Sequence, residues 1–146
     1  MRATELLMQQ HRKVSQALDS LAEGKGKELE SLLREVELDL RGHMTIEETI
    51  FYPYAAKRLG DDEMLLEAYE EHALARYALA RLLDAQGERE VFEARAKVLK
   101  ELIEHHVKEE EGQLFPQCEE AFGEQLDELG AQMQKKFQQT LSKAPA

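Results

Sequence analysis

The chain has one cysteine, Cys118, so it can form no internal disulfide and no cysteine-based metal knuckle. It has no apolar run approaching the roughly 18 consecutive residues of a membrane span, and its first residues lack the pattern of a secretory signal. Low-complexity segments are absent as well. Basic residues are the minority, 19 against 30 acidic, and the net charge of -11 repels nucleic acid and anionic membranes. These absences lead us to expect a cytoplasmic protein with no nucleic-acid and no membrane partner. At 146 residues, 42% apolar and 34% charged, the chain is the size of one domain, expected over residues 1–146. Such a domain buries roughly two thirds of its unfolded surface.

What the chain does have is a duplicated motif. The stretch His43-Met44-Thr45-Ile46-Glu47-Glu48-Thr49-Ile50-Phe51-Tyr52-Pro53 is matched by His106-Val107-Lys108-Glu109-Glu110-Glu111-Gly112-Gln113-Leu114-Phe115-Pro116. Both begin with His, carry Glu-Glu at the fifth and sixth places, an aromatic at the tenth and Pro at the eleventh. A lone histidine stands upstream of each, His11 before His43 and His72 before His106. One His-x-x-x-Glu arises often by chance on helices. Two matched copies, each with its isolated histidine, do not.

The surrounding pattern is helical throughout. Ala3, Leu7, Met8, His11, Val14, Leu18 and Leu21 recur at three- and four-residue steps, which predicts an amphipathic helix over about 2–22 with His11 in its apolar stripe. Glu23-Gly24-Lys25-Gly26-Lys27 makes a short connection. A second helix aligns Leu29, Leu33, Val36, Leu40, His43, Glu47, Ile50 and Tyr54, with a kink expected at Pro53. Gly60 stops it, and Asp61 or Asp62 is the expected N-cap of a third helix to about Ala85, with Leu65, Ala68, His72, Ala75, Leu79 and Leu82 inward. The fourth carries Phe92, Leu99, Ile103, His106, Glu110 and Leu114 on one face up to a kink at Pro116. His105 with Glu109 also reads His-x-x-x-Glu, but its face holds Glu101, Val98 and Gly112, so His106 with Glu110 is the expected buried pair. After Gly123, Leu126, Leu129, Met133, Phe137 and Leu141 form a last stripe, weakened at Gly130 by up to about 1 kcal/mol relative to Ala. The end from Lys143 to Ala146 is expected to fray.

Four long amphipathic helices with short links imply an all-α, up-down-up-down four-helix bundle over about 2–122, with an additional C-terminal helix over about 124–141. That last helix either caps one end of the bundle or covers a homodimer seam. Counting from the turns at 1.5 Å per residue brings the four stripe histidines to within roughly 7 Å of one level. A bare core would not hold four imidazoles and two carboxylates, because unpaired buried polar and charged groups are costly. A pair of metal ions would compensate: imidazole and carboxylate suit iron, manganese or zinc, and carboxylates can bridge two ions. His and Glu four apart share a helix face, so one turn can offer both a terminal and a bridging ligand.

The duplicated motif resembles the hemerythrin-like family of His/His-Glu cation-binding domains, from His11 to Pro116. The resemblance implies a non-haem di-iron centre, oxo- or hydroxo-bridged, with His11 and His43 on one iron, His72 and His106 on the other, and Glu47 and Glu110 between them. It implies dioxygen, peroxide or nitric oxide as the small-molecule ligand. Peroxide decomposition or repair of iron centres is an alternative, though repair relatives carry an N-terminal cysteine segment that is not seen before the first helix here. Iron storage or sensing is another alternative, and a metal-free interaction bundle would leave the core ligands idle. Three residues are left open. Glu111 is a rival to Glu110, because some oxygen-carrying relatives place their carboxylate five residues past the histidine. Phe51, Tyr52, Phe115 and Tyr69 are read as core aromatics, with Tyr69, three before His72, left open as a ligand or radical stop. Arg76 stands where oxygen carriers have a fifth histidine, and either stabilises a bound anion or extends to solvent.

Overall fold

The computed structural model describes residues 1–24, 28–60 and 62–143. The connection through Lys25, Gly26 and Lys27, the capping side chains of Asp61 and Asp62, and the tail at 144–146 lie outside the described residues. The described chain is all-helical. Its elements are α1 (Ala3–Glu23), α2 (Leu29–Ile46), a π-helical turn π1 (Glu47–Phe51), α3 (Tyr52–Leu59), α4 (Asp62–Leu83), α5 (Arg89–Glu109), a second π-helical turn π2 (Glu110–Leu114), α6 (Phe115–Phe122) and α7 (Gln125–Ser142). The runs α2–π1–α3 and α5–π2–α6 each form one long rod of the bundle.

The stripes close the bundle as their periodicity requires. α1 packs against α2 and α5, and α4 packs against the same two helices. Leu7, Leu18, Leu21, Leu33, Leu40, Leu79, Leu82 and Leu99 are all buried, and burying each such side chain contributes about 1.5–3 kcal/mol. α7 is the additional helix. It lies over α1 and α2 with Leu126, Leu129, Met133 and Phe137 buried against them. Its apolar stripe therefore covers this chain's own bundle.

Two glycines make that docking possible. A Cβ on Gly42 of α2 would come 2.8 Å from the Phe137 ring, and a Cβ on Gly130 of α7 would collide with the Met1 carbonyl. Gly130 thus costs helix propensity but admits the N-terminal backbone, so the expected gain from alanine there does not hold.

Pro53 and Pro116 act differently from the expected kinks. Each follows a π-turn: the Tyr52 N–H reaches back five residues to the Glu47 carbonyl, and the Phe115 N–H reaches back five to Glu110. The wide turn inserts one residue just where proline removes a donor and crowds the preceding turn. It also rotates the residues beyond it about the rod's axis. Ile50 and Tyr54, expected inward, are only half-buried, while Phe51, Tyr52 and Ala55 take the core positions.

Candidate metal centre

The apolar interior is split into two clusters, one around Phe51, Phe115, Phe122 and Leu126 at the proline end, the other around Leu18, Leu33, Leu79 and Leu99. Between them lies a polar layer. His11 from α1, His43 from α2, Glu47 at the head of π1, His72 from α4, His106 from α5 and Glu110 at the head of π2 are all buried there. Each histidine sits in its helix's apolar stripe, so the packing that closes the bundle also brings the four imidazoles together.

Their ligating atoms face one another. Glu47 Oε1 lies 3.1 Å from both His43 Nε2 and His72 Nε2. Glu110 Oε1 lies 3.2 Å from both His11 Nε2 and His106 Nε2. Each carboxylate therefore stands between one histidine of the first copy and one of the second. Two groups with metal-ligand spacing result: His11, His43, Glu47 and Glu110, and Glu47, His72 and His106, each with its ligating atoms within 4.8 Å of one another.

The outer nitrogens are occupied in a way the duplication explains. His11 Nδ1 is 2.7 Å from Glu111 and His72 Nδ1 is 2.6 Å from Glu48. In each copy the second Glu of Glu-Glu therefore holds the lone histidine of the other copy. The residue before each lone histidine completes the set, with His43 Nδ1 2.7 Å from Gln10 and His106 Nδ1 2.7 Å from Glu71. An Nδ1–H donated outward leaves the Nε2 lone pair facing inward, the arrangement of a metal-ligating histidine. Glu111 thus lies behind His11, and Glu110 is the carboxylate that faces the Nε2 atoms.

The inner atoms lack what the outer ones have. His11 Nε2, His43 Nε2, both oxygens of Glu47 and Glu110 Oε1 are buried with no hydrogen-bond partner. Their approaches of 3.1 to 3.2 Å are close but misaligned for hydrogen bonds. Leaving one such group unsatisfied costs about 1–3 kcal/mol. A donor set of four imidazole nitrogens and two carboxylates fits two hard-to-borderline divalent cations.

The π-turns set a further side chain at this layer. In an unbroken α-helix Tyr52 would stand about 140° around the axis from Glu47. The wide turn brings it back over Glu47, and its hydroxyl donates to Glu110 Oε2 at 2.5 Å and lies 3.3 Å from both His72 Nε2 and His106 Nε2. Tyr69 stays outside, edge-on to the Tyr52 ring with its hydroxyl toward the Glu48 carbonyl. The sequence signal for Tyr52 was its place as the tenth residue of the motif. The matching Phe115 stacks parallel to His11 at 5.8 Å.

The family model described as the hemerythrin HHE cation-binding domain matches residues 2–118. The chain belongs to the hemerythrin HHE family. A crystal structure of a hemerythrin HHE cation-binding domain-containing protein from Mycobacterium kansasii has the same fold, with a TM-score of 0.85 at 24% identity over 97% of this chain and 88% of that one. No curated protein matches the chain.

In this hemerythrin-family bundle the metal-free electrostatics are those of interlocked ion pairs. Burial pushes the His11 imidazole down, but the Glu110 and Glu111 carboxylates outweigh it and raise it to about 9. Burial likewise opposes His106, yet Glu110 and Glu47 raise it to about 12. His72 is raised too, with Glu47 overcoming its burial. Burial alone would raise Glu47, whereas the His43 charge and the neighbouring side chains hold it well below the usual range. A cation entering the layer must therefore displace protons from the histidines.

Arg76 does not face the inner layer. Its guanidinium pairs with Glu48 Oε2 at 2.5 Å, behind His72, and its side chain is 40% exposed. Of the two readings open for it, an anion clamp has no geometric support. It neutralises the carboxylate that holds His72. His105 is 64% exposed and pairs with Glu109 and Glu71 on the surface. Beside the four inner histidines is a cavity of about 20 Å³, walled by Val14, Leu40 and Ile103 among others. That is room for one water-sized molecule. No helix of the described residues is long and apolar enough to cross a membrane.

Proposed function

We propose that the protein is a non-haem di-iron protein, folded as one domain over residues 1–146, that binds or reacts with dioxygen, peroxide or nitric oxide. His11 and His43 would hold one iron and His72 and His106 the other, with Glu47 and Glu110 as the carboxylates shared between them. The observation that carries this reading is the pairing of the carboxylates: Glu47 Oε1 and Glu110 Oε1 each lie against histidines of both copies while having no hydrogen-bond partner. Bridging is the role that such a position serves.

Bound iron would supply reversible one-electron chemistry toward a small oxidant. The residues of the chain do the rest. Glu48, Glu71, Glu111 and Gln10 orient the imidazoles through Nδ1, and the three carboxylates raise their basicity. Tyr52 holds Glu110 by its second oxygen, so that Oε1 stays turned inward. The cavity of about 20 Å³ beside the four histidines leaves room for one water-sized molecule next to the site. The two halves differ: a phenol adjoins His72 and His106, whereas a phenyl ring stacks on His11. The experiment that tests the reading is metal content with an optical spectrum before and after oxygen. Two irons per chain and charge-transfer bands that change with oxygen are expected; zinc, or a single iron without such bands, would sink it.

A further inference from the structure

The bundle is a near-duplicate about its own middle, but its two outer faces are treated unequally. α7 covers the face made by α1 and α2. Among the described residues no helix lies over the opposite face, made by α4 and α5. Of the six large apolar side chains that stand exposed among the described residues, five are there: Leu66 at 64%, Leu74 at 55%, Tyr77 at 65%, Val91 at 39% and Val98 at 51%. Scattered singly they would mean little. Clustered on one uncovered face, they mark a surface made to be buried.

The pattern on α4 says by what. Leu66, Glu70, Leu74, Tyr77 and Arg81 fall within about 80° of one another around the helix axis. They form one exposed stripe, apolar at its centre and charged at its flanks. The N-terminal half is acidic, with Glu63, Glu67 and Glu70; the C-terminal half is basic, with Arg81 beside Arg95 of α5. In a chain of net charge -11 that basic end stands out. Leu74 and Tyr77 are equidistant from the level between Ala75 and Arg76, and so are Glu70 and Arg81.

We propose that this face is the interface of a homodimer, in which α4 of one copy packs antiparallel against α4 of a second about a two-fold axis at the Ala75–Arg76 level. A two-fold makes residue i meet residue j and j meet i. Leu74 then lies against Tyr77 of the second copy twice over, and Glu70 meets Arg81 at both ends. The ring of Tyr77, already under the Arg81 guanidinium at 5.9 Å, is held ready at the seam. A second copy suits this stripe because its charge pattern is complementary to its own reversal. The stripe from Leu66 to Arg81 is only about 22 Å long, so the dimer forms reversibly and weakens at low concentration.

The test uses the full chain in sedimentation velocity over a wide concentration range, with iron content and helicity checked for every variant. The unmodified protein should pass from monomer to dimer as concentration rises, and L74D should weaken the dimer at least about tenfold, as truncating an interface centre does. Glu70→Arg and Arg81→Glu should each weaken it, while the double variant, which restores opposite charges at both ends, should recover it. A protein that stays monomeric at all concentrations overturns the proposal and leaves the face to a different partner. A dimer indifferent to L74D, or a double variant no better than the single ones, overturns it equally.

Discussion

The Tyr52 hydroxyl and Glu110 Oε2 meet at 2.5 Å across the bundle, joining the tenth residue of one motif copy to the fifth of the other. The pair is not reciprocated, because the residue matching Tyr52 is Phe115. Tyr52→Phe removes the donor from a buried carboxylate. We expect it to lower metal-free stability by about 1–3 kcal/mol, read as a shift of the denaturant midpoint at constant slope. An unchanged midpoint would show that Glu110 finds another donor.

Glu47 and Glu110 are expected to be indispensable for a two-metal load. Alanine at either should cost at least one iron per chain in elemental analysis. His105→Ala, on the exposed face, should cost none. Full iron loading in both glutamate variants would refute the bridging assignment.

Metal and fold should be coupled through the protons of the layer. His11 and His106 are raised from 6.5 to about 9 and about 12 in the metal-free protein. A raised folded value stabilises fully below the unfolded one and is lost as pH climbs through the folded one. The metal-free protein should therefore lose melting temperature from about pH 6.5 upward, most steeply between about pH 6.5 and 9 where both histidines contribute, and more gently above that where only His106 does. The iron form should melt higher at every pH in that range and show a shallower decline. Parallel curves for the two forms would separate the histidines from the metal.

The outer partners should tune affinity without being ligands. Glu71→Ala, which frees His106 Nδ1, is expected to weaken metal binding about 10- to 100-fold, while Glu71→Gln, copying the Gln10–His43 contact, should cost less. Competition with a chelator measures both. Equal losses would mean that charge, and not orientation, is what Glu71 supplies.

Cys118 should be silent. Burial, with the Glu110 and Glu119 charges adding, pushes its thiol up to about 12. The native protein should resist alkylation at mildly alkaline pH and react only after unfolding; labelling of the folded chain would contradict the buried placement.

Much of this was legible before any coordinates, because helical periodicity is a local property. The apolar stripes put His11, His43, His72 and His106 inward, and the face shared with Ile103 chose His106 over His105. Helix and turn lengths were enough to bring the four to one level. What neighbouring helices offer one another is not local. Only the tertiary structure showed that Glu48 and Glu111 each lie behind a histidine of the other copy, that Arg76 pairs with Glu48, and that α7 lies on α1 and α2. Tyr52 was hidden for a sharper reason. Reckoned at 3.6 residues per turn it stands well away from Glu47, and Tyr69 is the aromatic that the sequence leaves open as a ligand. The π-turn changes that reckoning by one residue, and whether a helix widens there depends on how the packed bundle accommodates Pro53 and the buried carboxylate. Residue spacing determined which side chains could share a face, while the hydrogen-bond ladder, set by packing, decided where that face turned.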